Sequence, residues 1–170
     1  MRLLILDLDK TLWDHYDASQ LVPPFRTHGT ELIDALGNKL KLFDGVVEFL
    51  DWAKERFVLS IASWNVEKLV RPILEEFNIW HYFVFPKIEN HPDKADMIVR
   101  TLQELKNSGY EIEEVIYIDD RTLHLDKIKK RTPDIRFIQM WVDVKNFEEL
   151  REYLMKELEV KKNGALSGER

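Results

Sequence analysis

Apolar positions fall into two alternating rhythms along the chain, short continuous runs and helical repeats. Residues 2–8 are short, continuous and mostly apolar, which predicts a buried strand. From Trp13 to Leu42 the period is lost, and Pro23, Pro24, Gly29 and Gly37 interrupt the segment. A connection that long suits a flap over a functional site. Val46, Phe49, Leu50, Ala53 and Phe57 restore helical spacing, with Asp44 placed to cap the helix. "FVLSIAS" (57–63) predicts a second buried strand. Asn65 then caps a helix with Val66, Leu69, Val70, Ile73, Leu74 and Phe77 on one face. Pro72 lies inside that repeat and predicts a kink or a split.

"YFVFP" (82–86) predicts a third strand. Pro92 suits the first turn of a helix carrying Ala95, Ile98, Leu102 and Leu105, and Gly109 ends it. "EVIYIDD" (114–120) predicts a fourth strand, 121–131 a short helix and "IRFIQM" (135–140) a fifth strand. Asn146, with Glu149 three residues on, opens a last helix bearing Phe147, Leu150, Leu154 and Leu158. Residues 161–170 are expected to fray.

Strands alternating with helices predict the α/β class: a doubly wound, Rossmann-like parallel five-stranded sheet with helices on both faces. A small flap (13–42) follows the first strand, with no room for a large cap domain. Neither a repeat nor a linker interrupts the pattern, so 1–160 is expected to be a single domain. In such sheets a ligand sits beyond the carboxyl ends of the strands, where strand order reverses.

Composition narrows the function classes. The 170 residues are 45% hydrophobic and 33% charged, as in a globular protein. The net charge of −6, with acids spread along the chain, disfavours nucleic acid and anionic membranes as partners. The absence of cysteine removes disulfides, thiolate metal sites and a cysteine nucleophile. With no signal peptide and no apolar run of spanning length, a cytoplasmic location is expected.

The strand-end rule selects the candidate chemistry. Asp7 and Asp9 close strand one, Ser63 closes strand two, Lys94 lies just beyond strand three, and Asp119 and Asp120 close strand four. Paired carboxylates repel, so they need a cation or a shared proton. Three or four carboxylates without nearby His or Cys suit a hard cation with oxygen ligands, for which Mg²⁺ is the natural choice. Asn65 as the cap frees the Ser63 hydroxyl, and a helix N-terminus beside it suits an anion. Lys94 in the first turn of a helix opposes the helix dipole, a small cost for an exposed lysine and one that a bound anion would offset.

An EF-hand reading of "DLDKT" fails, because the sixth and twelfth positions of the loop are Leu12 and Ala18 instead of Gly and Glu. A response-regulator receiver domain has its paired acids after the first strand and a lone Asp after the third, the reverse of this order. The order "LLILDLDKT", "VLSIAS", Lys94, "VIYIDD" resembles the four motifs of the haloacid dehalogenase superfamily, each at its strand end. "DLDKTLW", "PPF", the His91-Pro92 approach to Lys94 and the Arg121 that follows the Asp pair are similar to its capless magnesium-dependent phosphatases.

That resemblance implies a Mg²⁺-dependent phosphomonoester hydrolase. Asp7 would be the nucleophile, forming an aspartyl-phosphate, and Asp9 the acid and base. Mg²⁺ would be held by the Asp7 carboxylate, the Asp9 carbonyl and Asp120, with Asp119 nearby. Ser63, Trp64 and Lys94 would line the phosphate, although Trp64 stands where those relatives carry Arg. Phosphotyrosine or small sugar phosphates are the implied substrates, and a homodimer could supply a lid. The alternatives are a phosphate-binding module without turnover, or transfer to an acceptor other than water.

Overall fold

In the computed structural model, which describes residues 1–168, strand β1 (Arg2–Leu6) is the centre of a five-stranded parallel sheet. On one side it pairs with β5 (Val58–Trp64), which pairs in turn with β6 (Lys87–Glu89). On the other it pairs with β7 (Glu114–Asp119), and β7 with β8 (Arg136–Gln139). The chain winds outward from β1 in both directions, so the reversal of strand order falls at the carboxyl end of β1. Leu6 lies opposite Ile61 on β5 and Ile118 on β7, which brings the three strand ends level.

Continuous apolar runs form these strands because both faces are covered. Leu4, Leu6 and Leu8 pack with Leu59 and Ile61 under α1 (Val46–Ala53), α2 (Glu67–Glu76) and α5 (Phe147–Gly168). Leu3 and Ile5 pack with Val58 and Ala62 under α3 (Lys94–Asn107) and α4 (Leu125–Arg131). Each such fully buried Leu contributes roughly 1.5–3 kcal/mol of transfer free energy. Truncating Leu4 or Leu6 to Ala costs about 2–5 kcal/mol, since the dense core closes incompletely over the gap.

The flap differs from the aperiodic loop expected over 13–42. It holds a three-stranded antiparallel sheet, β2 (Arg26–His28), β3 (Glu31–Ile33) and β4 (Lys39–Lys41). Three-residue strands are too short to display a period. Leu32 and Leu40 face each other across β3 and β4 and are both buried against the main core. Asp34 ties the sheet together, accepting from the N–H groups of Val22 (2.9 Å), Leu36 (2.9 Å) and Asn38 (2.8 Å).

Strand three is 87–89 rather than 82–86. Phe85 adopts a left-handed φ of 47° and Pro86 has no N–H to donate, so "YFVFP" cannot continue a ladder. Lys87 concealed the true strand, because its buried ammonium is held by Glu104 and the Phe85 carbonyl. Gly45, at φ 83°, occupies the N-cap of α1, so Asp44 does not cap it. Helix α2 runs through Pro72 as one element. Gly109 follows α3 with φ 92°, the left-handed stop expected there. Helix α5 extends to Gly168, and residues 169–170 of the expected tail lie outside the described residues.

Candidate active site

β1 ends at Leu6, and Asp7 extends it by one hydrogen bond, its N–H donating to the Ile118 carbonyl at 3.0 Å. The chain then turns sharply, with the N–H groups of Thr11 and Leu12 both donating to the Leu8 carbonyl at 2.9 Å. Lys10 takes a left-handed φ of 60° in this turn, and its carbonyl accepts from the Trp141 indole at 2.7 Å. Asp7 and Asp9 therefore leave the strand on a turn, and their carboxylates meet different partners.

Asp7 joins the cationic side. Lys94, the first residue of α3, is 2% exposed, and its ammonium donates to Asp7 Oδ1 (2.9 Å), Asp119 Oδ2 (2.8 Å) and the Tyr117 hydroxyl (3.1 Å). The exposed-lysine alternative is thereby overturned: the ammonium is buried among carboxylates. Tyr117 also donates its hydroxyl proton to Asp119. The Thr11 hydroxyl lies within reach of Asp7 Oδ2 (3.1 Å) and Asp120 Oδ1 (3.2 Å) and accepts from the Asp120 N–H (3.2 Å). Thr11 thus locks the β1 and β7 ends together.

Burial pushes the Asp7 carboxyl well above its usual range, and Lys94 pulls against that shift. Burial also raises Asp120, helped by its neighbour Asp119. Asp119 ends below its usual value despite burial, because Lys94 and Tyr117 stabilise its charge. Burial works against the Lys94 charge, yet Asp7 and Asp119 raise its pKa and keep it protonated.

Carboxylate oxygens of Asp7, Asp119 and Asp120 all lie within 4.8 Å of one another. Three carboxyl groups around one ammonium form a mostly buried, oxygen-only donor set. That chemistry fits a hard divalent cation such as Mg²⁺. Asp120, half-buried, lines the open cleft, whereas Asp119 is enclosed by Lys94, Tyr117 and the Arg121 N–H (3.1 Å).

Asp9 stands outside this group. Its Oδ1 accepts from the Trp13 indole (2.8 Å) and the Ala18 N–H (3.0 Å), and its Oδ2 from the Asn65 amide (2.8 Å). Burial nonetheless raises its carboxyl to about 6, against the pull of those donors. Asn65 does not cap α2 as expected. Val66 is the N-cap and offers no side-chain bond, while Asn65 Oδ1 accepts from the Val66 N–H at 2.8 Å.

These groups border a cleft of about 530 Å³ whose lining includes Asp7, Asp9, Trp64, Asn65, Lys94 and Asp120. Trp64 is 47% exposed, and Tyr16, also exposed, lines the same cleft. Ser63, the next-to-last residue of β5, is buried and is not among the residues that line the cleft. Trp13 and Asn65 bond to Asp9 and Tyr117 bonds to Asp119, contacts that spacing alone did not show. A tyrosine inside a buried apolar run is the one signal available in advance, because its hydroxyl must find a partner.

Comparison with known proteins adds the family. The model of the acid phosphatase family matches residues 1–149. The human protein named magnesium-dependent phosphatase 1 is 25% identical over 132 residues, 76% of this chain and 73% of its own length. A haloacid-dehalogenase-superfamily hydrolase from Ehrlichia chaffeensis superposes with TM-score 0.63 at 17% identity, over 92% of this chain and 98% of that one. The Mg-complexed phosphatase-domain part of a Bacteroides fragilis protein superposes with TM-score 0.58 at 20% identity. That match takes in 91% of this chain but only 39% of the Bacteroides chain.

Proposed function

The chain belongs to the acid phosphatase family and carries a haloacid-dehalogenase fold without a large cap, and from that premise we propose a Mg²⁺-dependent phosphomonoesterase that works through an aspartyl-phosphate. The observation that carries this reading is the separation of the two acids. Asp7 sits among the metal-competent carboxylates, and Asp9 is held apart with its carboxyl raised to about 6.

Asp7, Asp120 and the Asp9 backbone carbonyl would hold Mg²⁺, with Asp119 orienting them through Lys94. Bound there, the cation would supply positive charge against the carboxylates and the phosphoryl group. The Asp7 carboxylate attacks phosphorus, and the bond to the leaving oxygen breaks as the new oxygen–phosphorus bond forms. Asp9 gives its proton to that leaving oxygen. It then takes a proton from the water that attacks the aspartyl-phosphate, which releases phosphate and restores both acids. Lys94 and Ser63 contact the phosphoryl oxygens, and the Lys94 charge is already in place when the transition state forms.

Tyr16 and Trp64 form the exposed aromatic walls of the cleft, which suits a flat leaving group such as that of phosphotyrosine. Small sugar phosphates are the second substrate class. Hydrolysis of p-nitrophenyl phosphate with Mg²⁺, with EDTA and by Asp7→Asn tests the reading. Activity confined to the first condition supports it, and equal rates in all three sink it.

A further inference from the structure

Three N–H donors converge on the Asp9 carboxylate from two separate parts of the chain. Trp13 Nε1 (2.8 Å) and the Ala18 N–H (3.0 Å) belong to the flap. Asn65 Nδ2 (2.8 Å) belongs to the turn between β5 and α2, 56 positions away. We propose that Trp13 and Asn65 are positioning residues that hold the Asp9 carboxyl at the leaving-group oxygen and so couple the flap to proton transfer. The inference rests on the phosphatase reading above.

Both side chains are oriented for this task. Trp13 is fully buried, and its backbone bridges to Asp9 on one side and Leu42 on the other, so its ring has no freedom to turn away. An indole nitrogen donates and cannot accept, so this bond has a fixed polarity. Asn65 is buried as well, and its Oδ1 accepts from the Val66 N–H (2.8 Å), which leaves its two amide hydrogens for Asp9. An aspartate on an open turn samples several rotamers, and one carboxyl orientation satisfies all three donors.

The arrangement also favours release of the Asp9 proton. As the ester bond breaks, the proton passes from Asp9 to the leaving oxygen and its electron pair stays on the carboxylate. N–H donors bind a carboxylate more strongly than a neutral acid. Their contribution therefore grows toward the transition state and falls on kcat more than on KM.

The opposing view is that Trp13 only packs the flap. Rates on phenyl, 4-nitrophenyl and 2,4-dinitrophenyl phosphate, measured with Mg²⁺, separate the two. A poor leaving group needs the acid and an activated one needs it little. Trp13→Phe keeps the ring volume and removes the N–H. Asn65→Ala and Asn65→Asp remove the second donor from a turn instead of the core, and so serve if Trp13→Phe folds poorly. A positioned general acid is worth roughly 10²–10⁴-fold, so these variants should lose about tenfold or more in kcat on phenyl phosphate. The loss on 2,4-dinitrophenyl phosphate should be a small fraction of that, with KM nearly constant, and Asp9→Ala should show the same pattern more steeply. Equal losses across the series, or none, overturn the inference while leaving the phosphatase reading intact. An inactive wild type on all three esters overturns both.

Discussion

Lys94 Nζ stands 2.9 Å from Asp7 Oδ1, although the two residues are 87 positions apart. The same ammonium reaches Asp119, so one buried cation links the ends of β1 and β7 through the first residue of α3. Removing it leaves two buried carboxylates facing each other. Lys94→Met should therefore lower stability by about 3–5 kcal/mol in EDTA, the scale for breaking a buried ion pair. Urea denaturation measures this, and added Mg²⁺ should restore part of the loss. Activity should fall roughly 10²–10³-fold or more, because a preorganised charge at the phosphoryl group is gone.

Asp119 and Asp120 should separate in their metal dependence. Asp120 lines the cleft, whereas Asp119 is enclosed by Lys94 and Tyr117. Asp120→Asn should raise the Mg²⁺ concentration for half-maximal binding more than Asp119→Asn does. The latter should cost about 10–100-fold, the range for a residue that orients a ligand. Titration calorimetry reads both, and the opposite ranking would reverse the assignment.

The pH profile follows from Asp9. Burial holds its carboxyl at about 6, and a general acid acts in its protonated form. Turnover of phenyl phosphate should thus decline as pH rises past about 6, with a weaker decline for 2,4-dinitrophenyl phosphate. Parallel profiles for the two esters would argue against Asp9 as the acid.

Trp64 should shape substrate preference. Trp64→Ala removes an exposed aromatic wall of the cleft. KM for aryl phosphates should rise roughly two- to tenfold, the value of one aromatic contact, with little change for glycerol phosphate. A uniform rise for both esters would place Trp64 at the phosphate instead.

Asp34 should make the flap acid-sensitive. Burial alone would raise its carboxyl, but the N–H groups of Val22, Asn38 and Leu36 and the Asn38 amide hold it below the usual value. A depressed folded value means stability that is present above the unfolded pKa and lost as pH falls through the folded one. Melting temperatures recorded downward from about pH 5 should therefore drop less steeply in Asp34→Asn than in the wild type. Identical slopes would remove Asp34 from the account.

Local pattern was enough for the strand-and-helix alternation, the position of Asp7, Asp119 and Asp120 at strand ends, and the site's place at the sheet's carboxyl edge. These follow from periodicity and from the geometry of parallel sheets, which neighbouring residues encode. The flap's sheet and strand β6 were hidden, since three-residue strands carry no period and Lys87 masked an interior position. Asn65 read as a helix cap because capping is its commonest local use, whereas its amide is committed to Asp9. Spacing likewise suggested that Asp7 and Asp9 act side by side.

The sequence by itself determined which acids arrive at the edge and in what order. Tertiary structure decided what each acid meets, because burial and hydrogen-bond partners set a carboxyl's charge, and those partners come from distant segments. Asp7 meets Lys94 across 87 positions and Asp9 meets Asn65 across 56, contacts that no window of local sequence contains.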